Sequence, residues 1–224
     1  MGARTDVPKT MTALTGGGAP NVDTTVRDPA LVAARRAEIC RAAVVLARRV
    51  PFGAVTTREI AAEAGMNIAT VYQYVRSKDD IVFLVCQQNV ANLQDELSAS
   101  EVNPIRRLRS RFSNLMQVMQ DRQMEITFVY QESRNLTGDY LQAVKDWDEL
   151  VVDHFEEPLR AANQLGTAHV DSTRVAARHM VETGYAWANK SWSFRNIASN
   201  AEYRDMQWRW FERAFDLRVG EEEA

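Results

Sequence analysis

One stretch of the chain concentrates side chains suited to touching a nucleic-acid duplex. Residues 56–78 read TTREIAAEAGMNIATVYQYVRSK. Ile60, Ala61, Ala64 and Val71 supply apolar contacts between two short helices, and Gly65 between them stops the first. A helix pair joined by such a tight turn presents its second helix as a convex rod that fits the major groove. That helix offers Asn67, Ile68, Ala69, Thr70, Gln73 and Tyr74 on its outer face. Small and polar residues at its N-terminal end permit close approach to base edges, and Gln73 has both a donor and an acceptor for an adenine. Thr57, Thr70, Tyr72, Tyr74 and Lys78 ring it with hydroxyls and one cation suited to phosphate oxygens. The capped start of the following helix adds backbone N–H groups and a positive dipole end, a further seat for a phosphate.

Other reactive residue types lack the spacing that chemistry needs. Asp153, His154, Glu156 and Glu157 carry metal-binding atoms, yet neighbours on a helix point in different directions, so they read as a solvated face. None of His154, His169 and His179 has an acid three positions earlier, as a helical di-iron site requires. There is no H-E-x-x-H, paired C-x-x-C, G-x-S-x-G, P-loop or G-x-G-x-x-G. Gly16, Gly17 and Gly18 lack the strand and helix of a phosphate loop. No metal, no cofactor and no catalysis are expected.

The elements that position the reading stretch are helices. Residues 1–29 hold four of the ten glycines and three of the six prolines without apolar periodicity, and are expected to form a disordered tail. Ile39, Ala42, Ala43, Leu46, Ala47 and Val50 make one stripe of a first helix that Pro51 and Gly53 end. Thr56 and Glu59 form a capping box for a second helix over 57–64. Asn67 caps a third through residue 74, and Ser77 with Asp80 opens a fourth. Asn103 followed by Pro104 starts a fifth, to about residue 122. A sixth spans 124–136, a seventh 139–165 with Pro158 as a possible kink, an eighth runs to about 194, and Ser199 with Glu202 caps a ninth ending near 217. Period-two alternation is absent, so the fold is expected to be all-α.

Charge divides along the same line. Residues 1–80 carry net +3 and the remaining 144 carry net −6, within a chain of net −3. A mildly basic module on an acidic body points to two jobs: a DNA-binding domain over 30–80 and a helical body over 81–224. Cys40 and Cys86 lie in apolar helical patterns and read as buried fillers in a reduced, cytoplasmic protein. No apolar run approaches the ~18 residues that span a bilayer, so no membrane partner is expected.

Residues 35–85 closely resemble the TetR (tetracycline-repressor) family of transcriptional regulators, through "TTREIAAEAGM", "NIATVYQYV" and "SKDDI". Ala69 stands where many members have Gly, which restricts backbone approach to DNA or favours a thymine methyl. Carried over by position, the resemblance makes Thr57, Thr70, Tyr72, Tyr74 and Lys78 phosphate contacts, and Arg58, Ile68, Ala69 and Gln73 base readers. It implies a C-terminal ligand-binding and dimerising domain. Phe128, Tyr130, Trp147 and Phe155 are then candidates to line an apolar cavity, with Arg134 or His154 meeting a polar or anionic group. The segment TFVYQESRNL is similar to one in regulators of lipid and acyl-CoA metabolism, which orders the effector candidates toward small apolar or acyl-type molecules, acyl-CoA among them.

The reading is a homodimeric repressor of a double-stranded, pseudo-palindromic operator, released by a small-molecule effector. A ligand-independent dimeric co-regulator or scaffold and a helical enzyme stand as alternatives. The dimer is expected through the last two helices. The eighth carries Ala177, Val181, Gly184, Tyr185, Ala188 and Trp192 at helical spacing, with Gly184 and Ala188 allowing close backbone approach. The ninth carries apolar residues on two sides, including Trp208, Trp210, Phe211 and Phe215.

Overall fold

A computed structural model describes residues 20–98, 100–194 and 196–218. Among these there are nine α-helices and no strand: α1 (Pro29–Ala47), α2 (Thr57–Glu63), α3 (Ile68–Val71), α4 (Lys78–Leu97), α5 (Pro104–Asp121), α6 (Gln123–Glu132), α7 (Gly138–Gln164), α8 (Thr173–Phe194) and α9 (Asn200–Ala214). Short 3-10 turns occupy Phe52–Ala54 and Ser133–Asn135. The helix starts follow local chemistry. Asp28 caps α1 ahead of Pro29, Asn103 caps α5 ahead of Pro104, and Thr56 with Glu59 and Ser199 with Glu202 close reciprocal capping boxes on α2 and α9. Each such cap stabilises its helix by about 1 kcal/mol. Gly65 takes φ +68° after α2, a conformation that a side chain would strain, and the chain turns there into α3.

The chain forms two compact units, Met1–Ala91 with Thr127–Asp146, and Asn92–Ile126 with Trp147–Ala224. This differs from a boundary after residue 80. Residues 81–86 of α4 are apolar on all sides, with Ile81, Val82, Phe83, Leu84, Val85 and Cys86 all buried. A helix segment without a polar face needs cover all round. Residues 127–146 contribute to it: Tyr140 stacks on Phe83 at 4.2 Å, and Phe128 meets Phe52 edge-on at 4.9 Å.

The expected tail also needs correction. Residues 1–19 lie outside the described residues, but residues 20–28 run as an extended strap with Val22 buried at 2% exposure. Asp23 pairs with Arg76, and Thr24 and Thr25 bond to the backbone after α3.

The second unit is a helical core from α5, α7, α8 and α9. Leu108, Phe112, Leu115 and Met119 meet Val152, Phe155, Met180, Val181 and Phe211 there. Phe112 and Phe211 pack edge to face at 5.4 Å. Arg174 and Arg178 of α8 bond across to Asp148, Glu149, Asp153 and Glu156 of α7. Those carboxylates are ion-pair partners. Among the described residues no three His, Cys, Asp or Glu side chains group as a metal site. α7 continues through Pro158, whereas α8 departs from helical geometry at Lys190 (φ −129°, ψ 17°). Among the described residues no helix is long and apolar enough to cross a membrane.

Candidate nucleic-acid interface

α3 is a single turn, and its geometry follows from its ends. Asn67 Oδ1 accepts from Thr70 N at 2.7 Å and from the Thr70 hydroxyl at 3.0 Å. Val71, Tyr74 and Val75 face inward and are buried. Asn67, Ile68, Ala69, Tyr72 and Gln73 face outward, Tyr72 at 50% and Ile68 at 37% exposure. Arg58 on α2 is exposed as well, and Thr57 and Thr70 are half-buried. The outward surface thus joins an amide, two small or branched apolar groups and a phenol, a mixture suited to base edges, a thymine methyl and a phosphate.

Two expected phosphate contacts fall elsewhere. Tyr74 is 4% exposed, so it serves the core of the first unit and not a backbone phosphate. Lys78 is turned inward. Its Nζ donates to the carbonyls of Phe52 (2.5 Å), Gly53 (3.0 Å) and Val55 (2.9 Å), and sits 4.5 Å above the Phe52 ring. An ammonium has three N–H bonds, and here all three are committed to the turn between α1 and α2. The start of α4 is likewise capped from within. Asp80 accepts from the N–H groups of Arg76 (2.7 Å) and Ser77 (3.3 Å), and its own N–H donates to Ser77 Oγ. These bonds engage the N–H groups of Arg76, Ser77 and Asp80.

Comparison with known proteins places the chain among helical regulators. Residues 39–85 match "Bacterial regulatory proteins, tetR family", and residues 101–189 match "Tetracyclin repressor-like, C-terminal domain". The chain belongs to the tetR family. It is 28% identical over 188 residues to the HTH-type transcriptional regulator HbdR of Aromatoleum sp. (strain CIB), covering 83% of this chain and 82% of that one. A tetR-family regulatory protein from Rhodococcus RHA1 superposes with TM-score 0.70 at 20% identity, over 80% of this chain and 94% of the other. AibR, solved with isovaleryl coenzyme A and operator DNA, gives TM-score 0.68 at 20% identity over 78% and 96%. As a TetR-family protein the chain is a DNA-binding transcriptional regulator and not an enzyme.

The six residues expected to meet an effector do not share one environment. Phe128 is buried against Phe52, Trp147 is buried, and Phe155 is fully enclosed in the second core. All three side chains are withdrawn from solvent. Tyr130 and Arg134 are exposed, and His154 is half-buried. Burial, with the nearby Arg111 cation, holds the His154 imidazole below its usual range. A concavity of about 470 Å³ lies between the start of α8 and the end of α9, lined by His169, Ser172, Val175, His179, Gln207 and Trp210 among others. None of the six expected residues lines it.

The α8 stripe also turns inward. Ala177, Val181, Gly184 and Ala188 are buried, and a Cβ on Gly184 would stand 3.1 Å from Leu115 and 3.3 Å from Met119 of α5. Gly184 therefore serves α5–α8 packing within the chain and not the approach of a second copy. Apolar groups left outward on the last two helices and their link are Val175, Trp192, Ile197 and Trp210. Sequence reasoning missed the contacts of residues 20–28, the inward turn of Lys78 and the Tyr140–Asp80 bond, all of them between residues far apart in the chain.

Proposed function

We propose that two copies of the chain bind a pseudo-palindromic operator, each laying α3 in a major groove, and that the protein represses from that site. The supporting observation is the outward set Ile68, Ala69, Tyr72 and Gln73 over a buried Val71, Tyr74 and Val75. Gln73 and Ala69 read bases in this scheme, with Ile68 and Arg58 beside them. Thr57, Thr70 and Tyr72 serve phosphates, and Asn67 holds the turn. A second copy covers Val175 and Trp210, which line one concavity, and the exposed Trp192 farther along α8, since a soluble monomer rarely leaves such apolar surface open. The protein acts in the cytoplasm, where its operator is.

The effector in this scheme is a small apolar or acyl-type molecule, acyl-CoA included. Support comes from the TFVYQESRNL segment and from AibR, whose structure holds isovaleryl coenzyme A beside operator DNA. Exposed Arg134 or, separately, half-buried His154 is the candidate for its polar end, and Tyr130 for its apolar part. An effector shifts the protein off DNA only by binding the non-operator conformation more tightly.

Titration of the DNA upstream of its own gene, followed by fluorescence anisotropy at several salt concentrations, tests this reading. Each phosphate neutralised adds ~0.9 to the negative slope of log K against log salt. Saturation at two chains per site, with release on adding isovaleryl coenzyme A, is expected. Binding of single chains contradicts the dimer, and indifference to acyl-CoA contradicts the effector class.

A further inference from the structure

The base-reading turn is too short to hold itself. α3 has four residues, and a single helical turn has no intrinsic stability in water. The carbonyls that follow it, those of Gln73 and Tyr74, need donors from outside the helix. Three arrive from the N-terminal side of the chain. Thr24 Oγ1 donates to the Gln73 carbonyl at 2.8 Å, Thr25 N donates to the same oxygen at 3.1 Å, and Arg36 Nε donates to the Tyr74 carbonyl at 3.1 Å.

The strap that supplies two of these donors is itself anchored. Val22 is buried, and Arg36 Nη2 donates to the carbonyls of Val22 (2.5 Å) and Asp23 (3.3 Å). One guanidinium therefore ties strap and reading turn together, its planar fork matching several acceptors at once. The Asp23–Arg76 pair at 2.9 Å adds little, because both side chains are largely in water.

We propose that residues 20–28 are part of the reading head: by capping the Gln73 carbonyl, Thr24 fixes the angle at which the Gln73 side chain meets a base. Thr24 is a positioning residue that acts through Gln73, and Val22 is the anchor that keeps it in place. The proposal rests on the reading that α3 contacts bases. It accounts for an otherwise polar strap being held by buried Val22 and a half-buried arginine.

The test uses a duplex selected from a random library by the full-length protein, with every base pair of one half-site then substituted singly. Thr24→Val, Val22→Asp, Gln73→Ala and the double variant Thr24→Val/Gln73→Ala are compared with the unaltered chain. Thr24→Val should lower affinity for the selected duplex about fivefold, the worth of one hydrogen bond, and flatten discrimination at the base pair that Gln73→Ala also flattens. The double variant should be no worse than Gln73→Ala alone, and Val22→Asp should flatten the same base pair further. The salt slope and binding to an unrelated duplex should stay unchanged in Thr24→Val, and its melting temperature should fall by no more than a few degrees. Additive losses, or full discrimination retained in both Thr24→Val and Val22→Asp, would overturn the proposal. If Gln73→Ala alters preference at no base pair, the assignment of α3 fails first and the positioning role falls with it.

Discussion

Tyr140 Oη donates to Asp80 Oδ1 at 2.9 Å, and the same ring lies nearly parallel to Phe83 at 4.2 Å. Sixty residues separate the two partners in the chain, yet their bond joins the start of α7 to the cap of α4. Asp80 is 8% exposed and also accepts from Ser77 Oγ and from two backbone N–H groups, so its carboxylate is fully engaged. Burial, and then the bond and charge of Asp80, push the Tyr140 phenol up to about 12.

Removing one partner leaves the other unsatisfied. Asp80→Ala should cost about 2–3 kcal/mol, because bonds to a charged acceptor are worth more than neutral ones, and Tyr140→Phe about 1 kcal/mol. Urea unfolding of the two single variants and the double variant should show a coupling of about 1 kcal/mol. Strict additivity would place the bond in solvent and not in the packed core of the first unit.

Lys78 provides a second test. With all three ammonium hydrogens on backbone carbonyls, Lys78→Met should lower stability by about 2 kcal/mol, since it removes the donor to the Gly53 and Val55 carbonyls, whereas that of Phe52 keeps the Val55 N–H. A variant with unchanged stability and weaker binding to every duplex would return Lys78 to the phosphate role.

The helix elements and the reading turn are legible from the sequence because their signals are local. Capping boxes at Thr56 and Ser199, Pro104 at a helix start, and Gly65 at a positive φ each act within four residues. What a residue does once it is in a helix depends on partners far along the chain. Lys78 meets carbonyls about 25 residues earlier, Thr24 a carbonyl 49 residues later, and Phe128 a ring on another turn. Tyr74 and Gly184 show the same limit. Periodicity places each on a face, but which neighbour that face meets is a tertiary fact.

Gly184 has a falsifiable packing role. Its added Cβ would press on Leu115 and Met119, both fully buried with little room to move, so Gly184→Ala should destabilise by about 1 kcal/mol despite the better helix propensity of alanine. Sedimentation should show its association state unchanged. Trp210→Glu, on the exposed face, should instead yield monomer with helix content retained.

His154 sets a pH dependence. Its folded pKa lies below the ordinary 6.5, with burial as the main cause and Arg111 adding to it. The unfolded chain therefore takes up this proton first as pH falls, so stability should decline below about pH 6.5 and level once the folded imidazole also protonates. The slope of unfolding free energy between about pH 7 and 5 should shrink in His154→Gln. An identical slope in both proteins would show that the imidazole is freely solvated.

Cys40 and Cys86 are both buried, and burial raises each thiol to about 12. Neither should react with a disulfide reagent in the native protein at neutral pH, and both should react once it is unfolded. Fast native labelling would mean that α1 or α4 opens readily.

The central claim is that paired α3 turns read a symmetric site, and selection of duplexes from a random library by the purified chain tests it most directly. The expected product is an inverted repeat whose half-site centres lie about 10 base pairs, or a multiple of that, apart, bound in proportion to paired chains. Exchange of Gln73 for Ala should then relax preference at one position in each half. Enrichment of an unrepeated site, or no enrichment at any salt concentration that still permits binding, would contradict it.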